Sequence, residues 1–204
     1  MFITFEGPEG SGKTSQIPAL AEYLRQRGFS VFTTREPGGT SIGEQIRTVI
    51  HDLKNEAMHP RTETLLYQAA RAQIVEQVIR PHLRAGDIVL CDRYMDSTLA
   101  YQGYGHRQKL DEMRTLIGYA TGGLLPDLTI LLDLDVEVGL RRKTNQDEWN
   151  RLDAYTVDFH CRVREGYHAL AQESPARWVV VNAEQTREEV QDVLRKIVLK
   201  KLEG

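Results

Sequence analysis

The octapeptide GPEGSGKT, Gly7 to Thr14, lies between the apolar run FITFE and a segment with helical spacing. It matches G-x-x-x-x-G-K-[ST] at every fixed position, and a strand before with a helix after is the context the pattern requires. Gly7, Gly10 and Gly12 permit torsions that a Cβ forbids, so successive backbone N–H groups can converge on phosphate oxygens. The helix behind the loop adds its positive end. Lys13 is expected to reach the β and γ phosphates of a nucleoside triphosphate, and the Thr14 hydroxyl to ligate Mg²⁺. The variable positions Pro8, Glu9, Gly10 and Ser11 bring no arginine, although charge on a moving phosphoryl group calls for one, so another segment must supply it. A carboxylate beside a phosphate cradle is repelled unless it meets a cation or a sugar hydroxyl, which turns Glu9 toward the acceptor. Neither N-K-x-D nor D-x-x-G occurs, so guanine specificity lacks support.

Working outward, the apolar runs FITF, SVFTT, DIVLC, LTILLDL and RWVVVN alternate with longer segments of helical spacing. Such alternation predicts an α/β fold, a five-stranded parallel sheet flanked by helices. IVLC and ILLDL are apolar at consecutive positions, as in strands buried on both faces. Helices are expected at about 13–27, 41–51, 61–84, 110–121, 136–143, 153–173 and 186–201. The 204 residues suit a single domain, 1–204, and 41% hydrophobic with 27% charged residues is the balance of a globular chain. A formal charge of −3 has the wrong sign for gripping long polyanions, which argues against nucleic acid as a partner. Two cysteines, Cys91 and Cys161, imply unpaired thiols and a reducing compartment. With no basic leader and no long apolar run at the N-terminus, the expected location is the cytoplasm, without membrane attachment.

IVLCDRY ends a buried strand on Asp92 and Arg93, where open parallel sheets bind ligands. Asp92 could hold Mg²⁺ through water and Arg93 could fork onto a phosphate; the alternative is an ion pair capping the strand. At this point the chain resembles the bacterial thymidylate kinases, which belong to the P-loop nucleoside monophosphate kinases. FEGPEGSGKT, TREPGGT, LLYQAARA and DRYMDSTLAYQG carry the likeness through the first half, LLDLDVEVGLRR and NRLDAYTVDFHCRVREGYHAL through most of the second.

The resemblance implies the three-layer P-loop NTPase fold with a short lid at about 141–153, a homodimer, and transfer from ATP to dTMP in the presence of Mg²⁺. It assigns ATP to Gly7–Thr14 and to the turn at Asn182 and Ala183. It assigns dTMP to Glu9, Pro37, Arg47, Tyr67, Arg71, Arg93, Thr98, Tyr101 and Gln102, and Mg²⁺ to Thr14, Asp92 and Glu9. Tyr67 and Arg71 lie four apart and share a helix face. The implied roles are stacking on thymine and a guanidinium donating to its O4, which an amino-bearing cytosine does not accept. Pro37 borders the methyl group, Arg47 meets the acceptor phosphate, and Tyr101 excludes a ribose hydroxyl. The polar interval KTNQDEWN, flanked by Arg141, Arg142, Lys143 and Arg151, fits a mobile segment bringing the missing arginine; Arg151 is the first candidate, Arg141 and Arg142 the next. A deoxynucleoside kinase, another monophosphate kinase and a noncatalytic nucleotide-binding module remain as alternatives.

Overall fold

A computed structural model describes residues 1–144 and 150–203. Five strands form one parallel sheet: β1 (Phe2–Glu6), β2 (Val31–Arg35), β3 (Ile88–Asp92), β4 (Leu128–Asp133) and β5 (Trp178–Asn182), in the order β2-β3-β1-β4-β5. The central strands β1, β3 and β4 are buried on both faces save for their last residues in β3 and β4, and β2 and β5, at the edges, are partly exposed. This is the burial that consecutive apolar residues require.

The helices are α1 (Lys13–Arg25), α2 (Ser41–His51), α3 (Pro60–Ile74), α4 (Arg80–Arg84), α5 (Met95–Thr98), α6 (Leu110–Thr121), α7 (Val136–Thr144), α8 (Val157–Glu173) and α9 (Arg187–Glu203). Strand side chains alternate between two cores. Phe2, Val89 and Leu131 pack with Ile50, Ile74, Ile117, Val163 and Tyr167 on one side. Ile3, Phe5, Leu90, Ile130 and Leu132 pack with Leu20, Leu24, Leu194 and Val198 on the other. The result is a three-layer arrangement. Among the described residues, no helix is long and apolar enough to cross a membrane.

Three departures from the expected elements have local causes. The single helix expected at 61–84 is divided by a π-helical turn, Val75–Ile79. Pro81 stands two residues beyond its end; a proline has no N–H to donate and its ring crowds the carbonyl four residues back, within the turn, so the ladder widens there. The last long helix before β5 starts at Val157 rather than 153, because the Thr156 side chain caps it by accepting from the Phe159 N–H. Met95–Gly105, which lies outside the expected helices, is helical, with π geometry over Leu99–Gly105. It lies tightly against α8: a Cβ on Gly105 would run into Phe159, and one on Gly166 into Tyr104.

Candidate active site

The loop after β1 adopts the cradle shape. Gly10 has φ 69°, and a Cβ there would collide with the Gly139 carbonyl at the start of α7. Only glycine satisfies both constraints. Lys13, the first residue of α1, is buried, and its ammonium donates to the carbonyls of Gly7 (3.0 Å) and Pro8 (3.1 Å) and to Ser11 Oγ (3.0 Å). Burial and then the neighbouring Arg93 push Lys13 down to about 8.

The parallel register sets Asp92 of β3 beside Phe5, so the strand's C-terminal end opens next to the cradle. Arg93 follows with φ 67°, a left-handed conformation uncommon for a non-glycine residue. Its guanidinium is held by Gly7 O (3.0 Å), Tyr167 Oη (3.1 Å), Ser97 Oγ (3.4 Å) and Glu9 Oε1 (2.7 Å). Tyr101 Oη donates to the same Glu9 oxygen at 2.7 Å. Burial opposes ionisation of Glu9, but Arg93, Lys13 and the Tyr101 hydrogen bond outweigh it and hold the carboxyl at about 2. Beneath this group Glu6 accepts from Tyr94 N (2.9 Å), Ser97 Oγ (2.5 Å) and Tyr167 Oη (2.9 Å). Burial and the charge of Asp96 push Glu6 up to about 7.

A cavity of ≈ 1270 Å³ is lined by the cradle, by Asp92 and Arg93 and by Tyr67 and Arg71 of α3. Glu9, Gly10, Ser11, Gly12, Lys13 and Thr14 line one end, and Pro37, Arg47, Tyr67, Arg71, Thr98, Tyr101 and Gln102 the other, with Asp92 and Arg93 between. The helix spacing that set Tyr67 and Arg71 on one face therefore turns both into the same space. Arg71 is almost fully buried and its guanidinium bonds to Glu36, Gln68, Thr98 and the Tyr94 carbonyl. Arg47 Nη1 donates to the Pro37 carbonyl at 3.1 Å.

The basic segment divides. Arg142 and Lys143 line the cavity, and Arg142 also reaches the Ala183 carbonyl at 3.2 Å, which joins α7 to the turn at Asn182 and Ala183. Arg141, on α7, lies outside the lining, and so do Asn182, at the end of β5, and Ala183, in the turn after it. Arg151 is elsewhere: buried, donating to the Ile50 carbonyl (2.8 Å) and Tyr155 Oη (2.6 Å), and ion-paired with Glu63. The first candidate for the missing arginine is thus paired with a carboxylate of α3. Of the expected lid, residues 145–149 lie outside the described residues.

The thymidylate kinase family model matches residues 5–194. The chain belongs to the thymidylate kinase family. It is 51% identical to the thymidylate kinase of Roseiflexus castenholzii over 211 aligned residues, covering 97% of this chain and 92% of that one. Against the Thermomicrobium roseum thymidylate kinase it is 56% identical over 196 residues, 95% and 91% of the two chains. The crystal structure of the Ehrlichia chaffeensis thymidylate kinase superposes with a TM-score of 0.79 at 33% identity, over 97% of this chain and 98% of that one. Kinase chemistry and the three-layer parallel fold, expected from the motifs, therefore hold for the whole chain.

Several residues around this kinase cavity escape sequence reasoning. Glu6, Gln68, Ser97 and Tyr167 lie within the quoted blocks but were assigned no role there, and their part emerges only where β1, α3, α5 and α8 converge. His51 also lines the cavity, and burial together with Arg47 pushes its imidazole down to about 3, so it is neutral. Glu36 sits inside the REPGG block and was legible there as a neighbour of Pro37, but nothing marked it as the partner of Arg71.

Proposed function

We propose that the cavity holds ATP and dTMP end to end and that the protein transfers the γ phosphoryl group to the dTMP phosphate, giving ADP and dTDP. The observation that carries this reading is the single continuous space with a triphosphate cradle at one end and Tyr67 with Arg71 at the other, Arg93 standing between. A phosphate monoester has its second pKa near ~6, so at neutral pH the attacking oxygen is already largely deprotonated and no general base is needed. The site must instead position two anions and offset their repulsion.

Lys13, Arg93 and an arginine of the 141–151 segment supply that charge. Arg142, already at the cavity wall, is the first candidate; Arg151 serves only if it leaves Glu63, and Arg141 only if α7 turns. Arg47, Tyr67, Pro37, Tyr101 and Gln102 position the acceptor, and Glu9, fixed by Arg93 and Tyr101, faces its sugar. Gly7–Thr14 and the Asn182–Ala183 turn belong to ATP. The donor set suits Mg²⁺: Thr14 and Asp92 offer two oxygen donors to one cavity, and among the described residues no cluster of three acidic, imidazole or thiol side chains forms an all-protein cage. Thr14, Asp92 and the free oxygen of Glu9 would hold the ion, directly or through water. When bound, Mg²⁺ neutralises charge on the phosphate oxygens.

We read the chain as one cytoplasmic domain that forms a homodimer. Exposed apolar side chains on and beside α2 and α3 (Ile42, Val49, Leu53, Leu65) support the dimer, and two free thiols support a reducing compartment. A coupled ADP-release assay with ATP against a panel of nucleoside monophosphates and thymidine tests the reaction. Highest kcat/KM with dTMP is expected; preference for thymidine makes the protein a nucleoside kinase, and tight ATP binding without turnover makes it a noncatalytic module.

A further inference from the structure

Strand β4 leaves the sheet through Asp133, Leu134 and Asp135, and the next residue opens α7. Leu134 and Val136 are buried, while the alternating carboxylates of Asp133 and Asp135 both meet one side chain of α8, Arg164. Its guanidinium forks onto Asp133, Nε to Oδ1 at 2.8 Å and Nη2 to Oδ2 at 2.9 Å, and Nη1 stands 3.6 Å from Asp135 Oδ2. His168, one turn further along α8, contacts Asp133 Oδ1 at 3.1 Å. The other oxygen of Asp135 accepts from the N–H groups of Glu137 (3.0 Å) and Val138 (3.2 Å) and so caps α7. The Asp133 carbonyl accepts from Ala183 N at 2.8 Å. Midway along α7, Gly139 packs backbone to backbone on the cradle, where a Cβ would lie 2.3 Å from the Glu9 carbonyl oxygen. In the last turn Arg142 stands at the cavity wall and donates to the Ala183 carbonyl. Asp135 and Arg142 are two turns apart and share a face of α7, so a tilt at the capped end moves the arginine at the other.

We propose that Arg164 is a positioning residue for phosphoryl transfer: by joining Asp133 to Asp135 it fixes the direction in which α7 leaves the sheet, and so holds Arg142 at the cavity wall beside the cradle. This rests on the proposed reading of the cavity, with Arg142 as its added arginine, and deepens it. Arg164 acts through α7, since neither it nor its two aspartate partners line the cavity. Burial of Leu134 and Val136 secures the root of the helix, but apolar contact is non-directional and leaves the tilt open. Paired hydrogen bonds from a planar fork supply the direction, which the single point charge of a lysine does not. The platform is itself rigid. One turn after Arg164, Tyr167 donates to Glu6 at 2.9 Å and accepts from Arg93 at 3.1 Å, and a Cβ on Gly166 would run into Tyr104. Helix α8 thereby orients two arginines of the cavity, Arg93 through Tyr167 and Arg142 through Arg164.

A double-variant cycle read in kcat separates this from a packing role. The proteins are the native chain, Arg164→Met, Arg142→Ala and the double variant, each assayed for kcat and for KM with ATP and with dTMP. Arg164→Met keeps the aliphatic stem and removes the fork. Its kcat is expected to fall by about tenfold or more, since a misplacement of about 1 Å can cost about 10²-fold, with KM for dTMP unchanged within about twofold because the acceptor lies against other elements. In the Arg142→Ala background the same change should cost less than about twofold further, because the group it positions is gone. If Arg164→Met does not fold, Arg164→Lys, which keeps the charge without the fork, replaces it in the cycle, with a loss that again vanishes once Arg142 is removed. A kcat unchanged by Arg164→Met, or an equal loss in both backgrounds, overturns the role of Arg164 while leaving the reaction intact. Arg142→Ala turning over at the native rate overturns the inference together with the place given to Arg142, and a native protein that does not phosphorylate dTMP overturns the proposed reaction itself.

Discussion

Glu63 and Arg151 form a buried ion pair whose removal should reveal how the segment after residue 149 is held. Side-chain exposure is 0% for Glu63 and 5% for Arg151, so water screens neither charge. Glu63 also takes hydrogen bonds from Gln102 (2.8 Å) and Tyr155 (2.9 Å) and contacts His106 at 3.2 Å. Burial raises its pKa, but His106 and Arg151 together outweigh burial and hold it at about 2, against 4.5 in an unstructured chain. At roughly 1.4 kcal/mol per pH unit the difference amounts to about 3 kcal/mol. A lowered folded pKa means that this stabilisation is present above pH 4.5 and is lost as pH falls through that value toward 2. Breaking a buried pair from one side independently predicts about 3–5 kcal/mol. Arg151→Met, which keeps the aliphatic stem in place, should therefore lower stability at pH 7 by about 3 kcal/mol, or Tm by about 6–12 °C in a domain of this size. Adding Glu63→Gln should recover most of that loss. Urea denaturation of the native protein, both single variants and the double variant gives the coupling directly. Additivity within about 0.5 kcal/mol would show that the pair contributes nothing beyond its separate side chains and refute the reasoning.

Other consequences are more local. Lys13→Ala should reduce kcat by about 10²-fold or more while leaving the Tm close to native, since among the described residues the lysine's hydrogen bonds stay within its own loop; single-turnover kinetics with saturating nucleotides checks this. Because Lys13 titrates at about 8 in the nucleotide-free protein, kcat/KM for ATP should decline as pH rises through that value, and a profile flat to pH 9.5 would contradict the assignment. Gly10→Ala meets both the Gly139 carbonyl and an unfavourable φ, so ATP affinity measured by calorimetry should fall by at least about tenfold. Glu6, raised to about 7 from 4.5, has the opposite sign to Glu63: the fold favours its protonated form, so its contribution is complete below pH 4.5 and is lost as pH rises through about 7. Stability in urea should accordingly fall less steeply between pH 5 and 8 in Glu6→Gln than in the native chain.

Much of the fold could be read in the chain because its signals are local. Consecutive apolar residues in IVLC and ILLDL report burial on two faces, and the strand-loop-helix context of GPEGSGKT fixes where the cradle opens. The order β2-β3-β1-β4-β5 is not written that way: pairing Ile3 with both Leu90 and Leu128 depends on contacts many residues apart. The helical run Met95–Gly105 was hidden because AYQGYG has the composition of a turn, and only the close approach of α8 stabilises it. Site residues divide along the same line. Tyr67 and Arg71 were singled out by the family resemblance, with helix spacing adding only that they share a face, and Asp92 and Arg93 by the strand end. Charge in the 141–151 segment announced a cation but not its partner, since Glu63 lies 88 residues before Arg151 and reads in isolation as an ordinary acid in the first turn of α3.

The central claim is that one continuous cleft seats donor and acceptor with their phosphates meeting beside Arg93. A crystal structure with ADP and dTMP bound together tests it most directly. The account predicts the ADP β phosphate in the Gly7–Thr14 loop, thymine against Tyr67, and the dTMP phosphate within reach of Arg47 and Arg93. Two nucleotides seated in separate pockets, or a single nucleotide occupying both ends, would contradict it.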